Sequence, residues 1–333
     1  MWRETFGVGQ NKFALAALLM LESGRVETKP NNGAIASGLV LAIILWGASN
    51  TGVKVLVKFW PPITTGSTRF LAAGVLMLAV FRWTKAFGGQ TPLTAEMKRL
   101  LWTRTAVSLA VYIVAFNWAL KLTELSHVAV YLGAAPVWAL LWEGPPRKNW
   151  QSFQRYAAAA LAFGGVLVLF LPTLRHMGSR LLGEILGLAC SVLWTHFGRQ
   201  CRSLGRELSA LEISAHTFWR SGLLMAPFSI VELVNYNKIP FRSSLLLVQL
   251  FCIVGGGVVA FALWNNGLRH WKTSQVYLFN NFIPLSNMAW ASLCLHEPIT
   301  ARFWISMLLI GAGVLLGQAN WQRLFGSRWL PSD

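Results

Sequence analysis

Stretches of about 20 predominantly apolar residues recur along this chain with short polar breaks between them, and a helix of that length spans the ~30 Å hydrocarbon core of a bilayer. Ten spans are read, at roughly 34–56, 62–82, 100–121, 125–143, 153–172, 180–200, 211–234, 245–268, 273–295 and 301–321. Alternation at period two is absent, and lipid-facing backbone must satisfy its own hydrogen bonds, so the spans are expected to be helices. Composition agrees: 55% of the residues are hydrophobic before the 29 glycines are counted, and only 12% are charged. Soluble domains average about 45–50% apolar with glycine included and about 25% charged. The fold class is therefore all-α integral membrane, which argues against a water-soluble enzyme and excludes disorder.

The formal net charge of +17 comes from 29 Lys and Arg against 12 Asp and Glu. In a soluble protein such an excess suggests a nucleic-acid surface, but its placement here points to lipid. With a cytoplasmic N-terminus, 19 basic residues fall in inward-facing segments and 8 in outward-facing ones, while Arg69 and Arg220 lie within spans. Lys and Arg near span ends set orientation, so a multi-pass protein of the cell (inner) membrane with both termini cytoplasmic is expected, its basic rim against anionic lipid. Residues 1–33 and 322–333 are then cytoplasmic tails. The apolar run from Phe13 to Leu21 is too short, and too soon followed by Glu22 and Arg25, to serve as a signal peptide. Cys190, Cys201, Cys252 and Cys294 show neither disulfide nor zinc spacing and read as small apolar residues within helices.

The two halves correspond. Gly38-Leu39-Val40-Leu41 leading to Trp46 resembles Gly183-Glu184-Ile185-Leu186 leading to Trp194, and each tryptophan is followed, 23 and 26 residues on, by an intramembrane arginine, Arg69 or Arg220. Val130-Tyr131-Leu132 before Pro136 matches Val276-Tyr277-Leu278 before Pro284, and Glu143 and Glu297 close the pattern. Residues 34–172 and 180–321 thus form two repeats of five spans. An odd number makes the second copy enter the membrane from the opposite side, giving ten transmembrane helices as two inverted five-helix repeats, an architecture of transporters.

Leu45-Trp46-Gly47-Ala48-Ser49-Asn50 in the first span, Pro61-Pro62 and Thr68-Arg69-Phe70-Leu71-Ala72-Ala73 leading into and through the second, and Leu295-His296-Glu297-Pro298-Ile299-Thr300 with Gly311-Ala312-Gly313-Val314-Leu315 at the end resemble the EamA-type repeats of the drug/metabolite transporter superfamily. The resemblance extends over about residues 34–321. It implies a permease or exporter of small metabolites, often amino acids, with a central cavity between the halves. One departure stands out: seven positions separate Pro136 from Glu143, whereas thirteen separate Pro284 from Glu297.

Polar groups deep in a span are costly and mark candidate sites. Projected at 100° per residue, Trp46, Asn50 and Val53 share a face of the first span, with Ser49 alongside. His127, Tyr131, Trp138 and Trp142 share one in the fourth, and His216, Arg220 and Pro227 one in the seventh. The ninth offers Tyr277, Asn280, Asn281 and Asn287 around Pro284. The expected substrate contacts are Trp46, Asn50, Tyr131, Trp138, Trp194, Tyr277, Asn280 and Asn281, with Arg69, Arg220 and His216 as gate or anchor residues. Tryptophans at the interfaces, asparagines bonding across helices and snorkelling arginines are the competing structural readings. No Asp or Glu is placed mid-span; Glu124, Glu143, Glu184, Glu212, Glu232 and Glu297 fall near span ends. His127, His196 and His216 could titrate near neutrality and couple protons. No HExxH, GxSxG, P-loop or dinucleotide motif occurs, so neither catalysis, a cofactor nor a metal is expected. The partners are a small-molecule substrate and the lipid bilayer, not nucleic acid, and nothing in the sequence sets an oligomeric state. The function expected is export of a small metabolite, most plausibly an amino acid or related compound, by alternating access between the halves. The alternative is an anion or sugar-nucleotide exchanger using Arg69 and Arg220.

Overall fold

A computed structural model describes residues 32–83, 91–135, 138, 142, 150–170, 179–236, 239–271, 276 and 279–318. Nearly all of the N-terminal tail, the whole C-terminal tail, and the Pro136 and Glu143 positions of the shortened interval lie outside them. The described residues form ten helices: α1 Asn32–Phe59, α2 Pro62–Trp83, α3 Ala95–Leu122, α4 Leu125–Gly133, α5 Trp150–Phe170, α6 Ser179–Leu204, α7 Ala210–Val234, α8 in three segments (Ser243–Phe251, Cys252–Val259, Ala260–His270), α9 a 3-10 turn Phe279–Phe282 running into Ile283–Leu295, and α10 Ala301–Gln318. No strand occurs among the described residues. By length and composition α1, α2, α3, α6 and α8 are each long and apolar enough to cross a membrane. The exterior fits such a solvent: Phe228, Val231, Leu247, Leu308 and Leu315 are each at least 62% exposed, an outward apolar display that water would penalise.

Helix pairing follows one rule. α2 packs along α7 and α5 along α10, while α3 with α6 is answered by α1 with α8, and α4 with α6 by α1 with α9. Exchanging the first five helices with the last five maps this set of pairs onto itself, as a duplicated bundle with a twofold relation requires. The local detail repeats too. A π-helical segment interrupts the third helix of each half, at Leu101–Ala106 in α3 and Cys252–Val259 in α8; such segments insert an extra residue into a turn and re-aim the side chains around it.

Small residues set how closely the exchanged pairs approach. A Cβ on Gly74 would stand 2.3 Å from the backbone nitrogen of Trp219, and one on Gly222 would stand 2.5 Å from that of Leu71, so α2 and α7 touch backbone to backbone at two related points. The α5–α10 crossing does the same, with Gly165 against the carbonyl oxygen of Ser306 at 2.7 Å and Gly313 against that of Ala158 at 2.6 Å. Where the hydrophobic drive between helices is weak, this close van der Waals packing supplies the association.

Three of the acids at span ends serve helix termini, where free amides and the positive end of the dipole favour a carboxylate. Glu212 receives the Ser209 amide at 2.9 Å at the start of α7 and the Thr91 amide at 2.7 Å. Glu232 receives the Thr64 amide of α2 at 2.9 Å. Glu297 receives the Leu125 and Ser126 amides of α4 at 2.9 and 3.0 Å. Glu124, paired with Arg180, and Glu184 depart from this pattern. Glu184 lies within α6, fully buried, and caps nothing.

Candidate functional site

A polar junction is built where α1, α2, α8 and α9 meet. Trp46 on α1 donates its indole N–H to the Gly256 carbonyl of the α8 π segment at 3.1 Å. A Cβ on Gly256 would lie 2.2 Å from Ser49 Oγ and 3.6 Å from the Arg69 guanidinium, so glycine is needed there to let α1 and α2 close on α8. One helical turn on, Asn50 Nδ2 donates to Asn287 Oδ1 of α9 at 3.1 Å.

Several polar atoms in this region are buried without a hydrogen-bond partner: Ser49 Oγ, Asn287 Nδ2 and Arg69 Nε. Buried polar groups are ordinarily satisfied, and three unpartnered atoms around one junction make it the candidate place for a further polar group. Arg69 is 7% exposed, and no described carboxylate pairs with it. Its charge rests against the Phe70 ring, 5.1 Å from the centroid. Aromatic rings continue from there: Phe70 meets Phe218 at 4.9 Å, Phe218 meets Phe261 at 4.9 Å, and Phe261 meets Trp46 at 5.1 Å.

The repeat-related tryptophans occupy related settings. Trp46 packs on Phe261 of α8, and Trp194 on α6 packs on Tyr112 of α3, each at a centroid distance of 5.1 Å. The two arginines differ more. Arg220 is also buried with its Nε unpartnered, but it donates to the His216 carbonyl at 2.8 Å and lies between Trp219 and Trp102, 4.3 and 5.5 Å from their centroids. His216 therefore meets Arg220 through its backbone, and its ring Nδ1 is buried without a partner.

The fourth-span face runs along α6. His127 and Tyr131 both reach Glu184, at 2.7 and 2.5 Å, and Trp138 donates to Ser191 Oγ at 2.7 Å. Trp142 packs beside the His196 ring at 6.1 Å. Trp138 also borders a cavity of about 280 Å³ lined by Ala134, Tyr156, Phe163 and Val166; this space is apolar and lies apart from the polar centre. Tyr277 lies outside the described residues. Asn280 and Asn281 fall in the 3-10 turn that opens α9, their side chains outside the description.

Three groups escaped the reading of the sequence. Asn287 was placed on the ninth-span face but not chosen, although it is the partner of Asn50. Lys54 is buried on α1 and donates to the Leu120 carbonyl at 2.5 Å and to the Thr123 carbonyl. Glu184 looked like a span-end acid; the signals that could have found it were His127 and Tyr131 four residues apart on one face, and Gly183 and Gly187 beside it.

No described group of His, Cys, Asp and Glu could hold a metal ion. An apolar exterior, two exchange-related halves and a buried polar junction between them describe an integral-membrane transporter. Residues 34–171 and 181–317 each match the EamA-like transporter family, and the chain belongs to that family as a multi-pass membrane protein. It is similar to an uncharacterized transporter of Archaeoglobus fulgidus, 24% identical over 290 residues that cover 85% of this chain and 96% of the relative. A probable amino-acid metabolite efflux pump of Escherichia coli K12 is 22% identical over 304 residues, 87% of this chain and 94% of the relative. A solved crystal structure shares the fold, with a TM-score of 0.58 at 16% identity over 86% of this chain and 98% of the other.

Proposed function

We propose that this transporter exports a small carboxylate-bearing metabolite, an amino acid or a close relative, from the cytoplasm by alternating the two halves around the junction of α1, α2, α8 and α9. The observation that carries the reading is Arg69: a buried guanidinium with no described carboxylate partner. A substrate carboxylate would satisfy it with charge-assisted hydrogen bonds. The orphaned Ser49 Oγ and Asn287 Nδ2 would take further polar groups, and the aromatic run from Phe70 to Trp46 would receive an apolar side chain, in keeping with pockets that are mostly apolar with a few placed polar groups. Trp46 and Asn50 are the direct contacts on α1, and Tyr277, Asn280 and Asn281 complete the site from the second half, while Tyr131, Trp138 and Trp194 line the path on the α6 side. Arg220 and His216 act as the related anchor. The efflux pump among the relatives supports the substrate class, and the basic residues of the inward loops support cytoplasmic termini.

The test is efflux of the proteinogenic amino acids, read by mass spectrometry, from proteoliposomes. Asn50→Leu and Asn281→Leu are expected to abolish it while the protein still inserts, and unchanged efflux in both overturns the site. The second reading, exchange of anions or sugar nucleotides, draws on the two buried arginines whose Nε atoms lack partners. Retention of transport in the Arg69→Gln/Arg220→Gln double variant removes it, and with it the carboxylate contact given to Arg69 above.

A further inference from the structure

We propose that Glu184 is a proton-binding site loaded through His127, and that the proton is the coupling ion of this transporter. The inference rests on the transport reading above and adds the coupling chemistry to it. Glu184 sits in α6 with no exposed surface. It accepts hydrogen bonds from Thr123 Oγ1 at 2.5 Å and from the Tyr131 hydroxyl at 2.5 Å, and its Oε1 meets His127 Nδ1 at 2.7 Å. The other ring nitrogen, His127 Nε2, faces Glu124 Oε2 at 3.5 Å. Side-chain exposure falls along this line, from 32% at Glu124 through 13% at His127 to none at Glu184. An imidazole bridging a surface carboxylate and a buried one can take a proton at one nitrogen and release another from the opposite nitrogen. The transfer balances: a solvent proton reaches Nε2 by way of Glu124, the Nδ1 proton moves to Glu184 Oε1, and the ring is left neutral in its other tautomer.

The charged surroundings suit this use. Arg180, on the same helix as Glu184, pairs with Glu124 at 3.0 Å and holds the entry carboxylate. Lys54 of α1 is fixed on the Leu120 and Thr123 carbonyls at the end of α3, and Glu297 on the first amides of α4. Thr123, His127 and Tyr131 are thus the groups that face Glu184, all from one end of the α3–α4 pair. Ionised, Glu184 draws three donors to it and binds α4 to α6. Once protonated it loses its charge and turns one oxygen into a donor, so those charge-assisted bonds weaken and α4 is released from α6. The other half lacks this device, because α1, the counterpart of α6, holds no Asp or Glu. A fully buried carboxylate is costly unless it is paired and hydrogen-bonded, as Glu184 is by Thr123, His127 and Tyr131.

The test uses the full chain in lipid. Infrared difference spectra across a pH titration of the wild type are expected to show a protonated-carboxyl band that disappears in Glu184→Gln and shifts in frequency in Tyr131→Phe, which deletes one hydrogen bond. In proteoliposomes loaded with the proteinogenic amino acids, an imposed pH gradient is expected to accelerate wild-type efflux. Glu184→Gln, fixed in the neutral form, is expected to lose that acceleration, and His127→Gln to slow the approach to the same end point. A wild type with no titrating carboxyl band, or a Glu184→Gln variant that keeps the acceleration, overturns the proposal. Absence of any amino-acid efflux from wild-type proteoliposomes counts against the substrate reading, and the infrared titration of wild type and Tyr131→Phe then decides Glu184 independently, even if Glu184→Gln does not fold.

Discussion

Gly74 on α2 meets Trp219 on α7 so closely that a Cβ at Gly74 would lie 2.3 Å from the Trp219 backbone nitrogen, and the related Gly222 meets Leu71 at 2.5 Å in the same way. These atoms are backbone and cannot rotate aside. Gly74→Val and Gly222→Val are each expected to destabilise the protein by about 1–3 kcal/mol through overpacking, read as a fall in thermal unfolding temperature in detergent. Gly164 and Gly198 have no neighbour within 4 Å of a Cβ, so Gly164→Ala and Gly198→Ala should be neutral or gain up to about 1 kcal/mol from helix propensity. Equal losses at all four positions would remove the close-packing explanation.

The Asn50–Asn287 bond joins α1 to α9 at 3.1 Å and leaves Asn287 Nδ2 unpartnered. A double-mutant cycle with Asn50→Leu and Asn287→Leu is expected to return a coupling in stability of about 0.6 kcal/mol, the usual value for such bonds between membrane helices. Efflux should fall in both single variants by more than stability explains. A normal rate in Asn287→Leu would mean that its free amide serves packing alone.

Lys54 places a cation on the carbonyls at the C-terminal end of α3, where the helix dipole favours one. Lys54→Met leaves Leu120 and Thr123 with unpaired carbonyls and is expected to cost about 1–3 kcal/mol. Lys58, in the last turn of the same helix but exposed, provides the comparison, and Lys58→Met should stay within about 0.5 kcal/mol of the parent. Chemical denaturation in mixed micelles would measure both.

At the end of α9 the chain turns through His296, the residue with a left-handed backbone, φ 54°, so that Glu297 can cap α4. A non-glycine residue pays for that conformation, and His296→Gly is expected to leave stability unchanged or raise it by up to about 1 kcal/mol. Glu297→Ala strips the Leu125 and Ser126 amides of their acceptor and should cost about 1–2 kcal/mol, as the loss of a cap does. If both variants unfold at the parental temperature, the α9–α4 connection contributes nothing to stability.

The helices and their duplication were legible because lipid makes apolar length a direct report of a span, and because the Trp46/Trp194 and Arg69/Arg220 pairs survive in both halves. The shared face of Trp46, Asn50 and Ser49 was legible for the same reason: it is a property of one helix. Contacts between helices were less legible. Periodicity gave the face holding His127 and Tyr131 but not the helix lying against it, so Glu184 looked like a residue at headgroup depth. It is covered because Gly183 and Gly187 let α6 come within contact of Leu122, Thr123, Val128 and Tyr131. The start of α3 at Ala95 was also missed, since a polar first turn capped by Thr94 carries no hydropathy signal.

Exchange of the halves maps helix pairs onto helix pairs, yet it maps α6, which holds Glu184, onto α1, which holds no acid. For a carrier that moves by trading the conformations of its halves, perfect duplication would make the inward- and outward-open forms degenerate. A carboxylate with three partners in one half alone, like the unlike settings of Arg69 and Arg220, lifts that degeneracy. The preference of an empty carrier for one orientation is then carried by the side chains that the two halves do not share, and the duplicated backbone need not change to alter it.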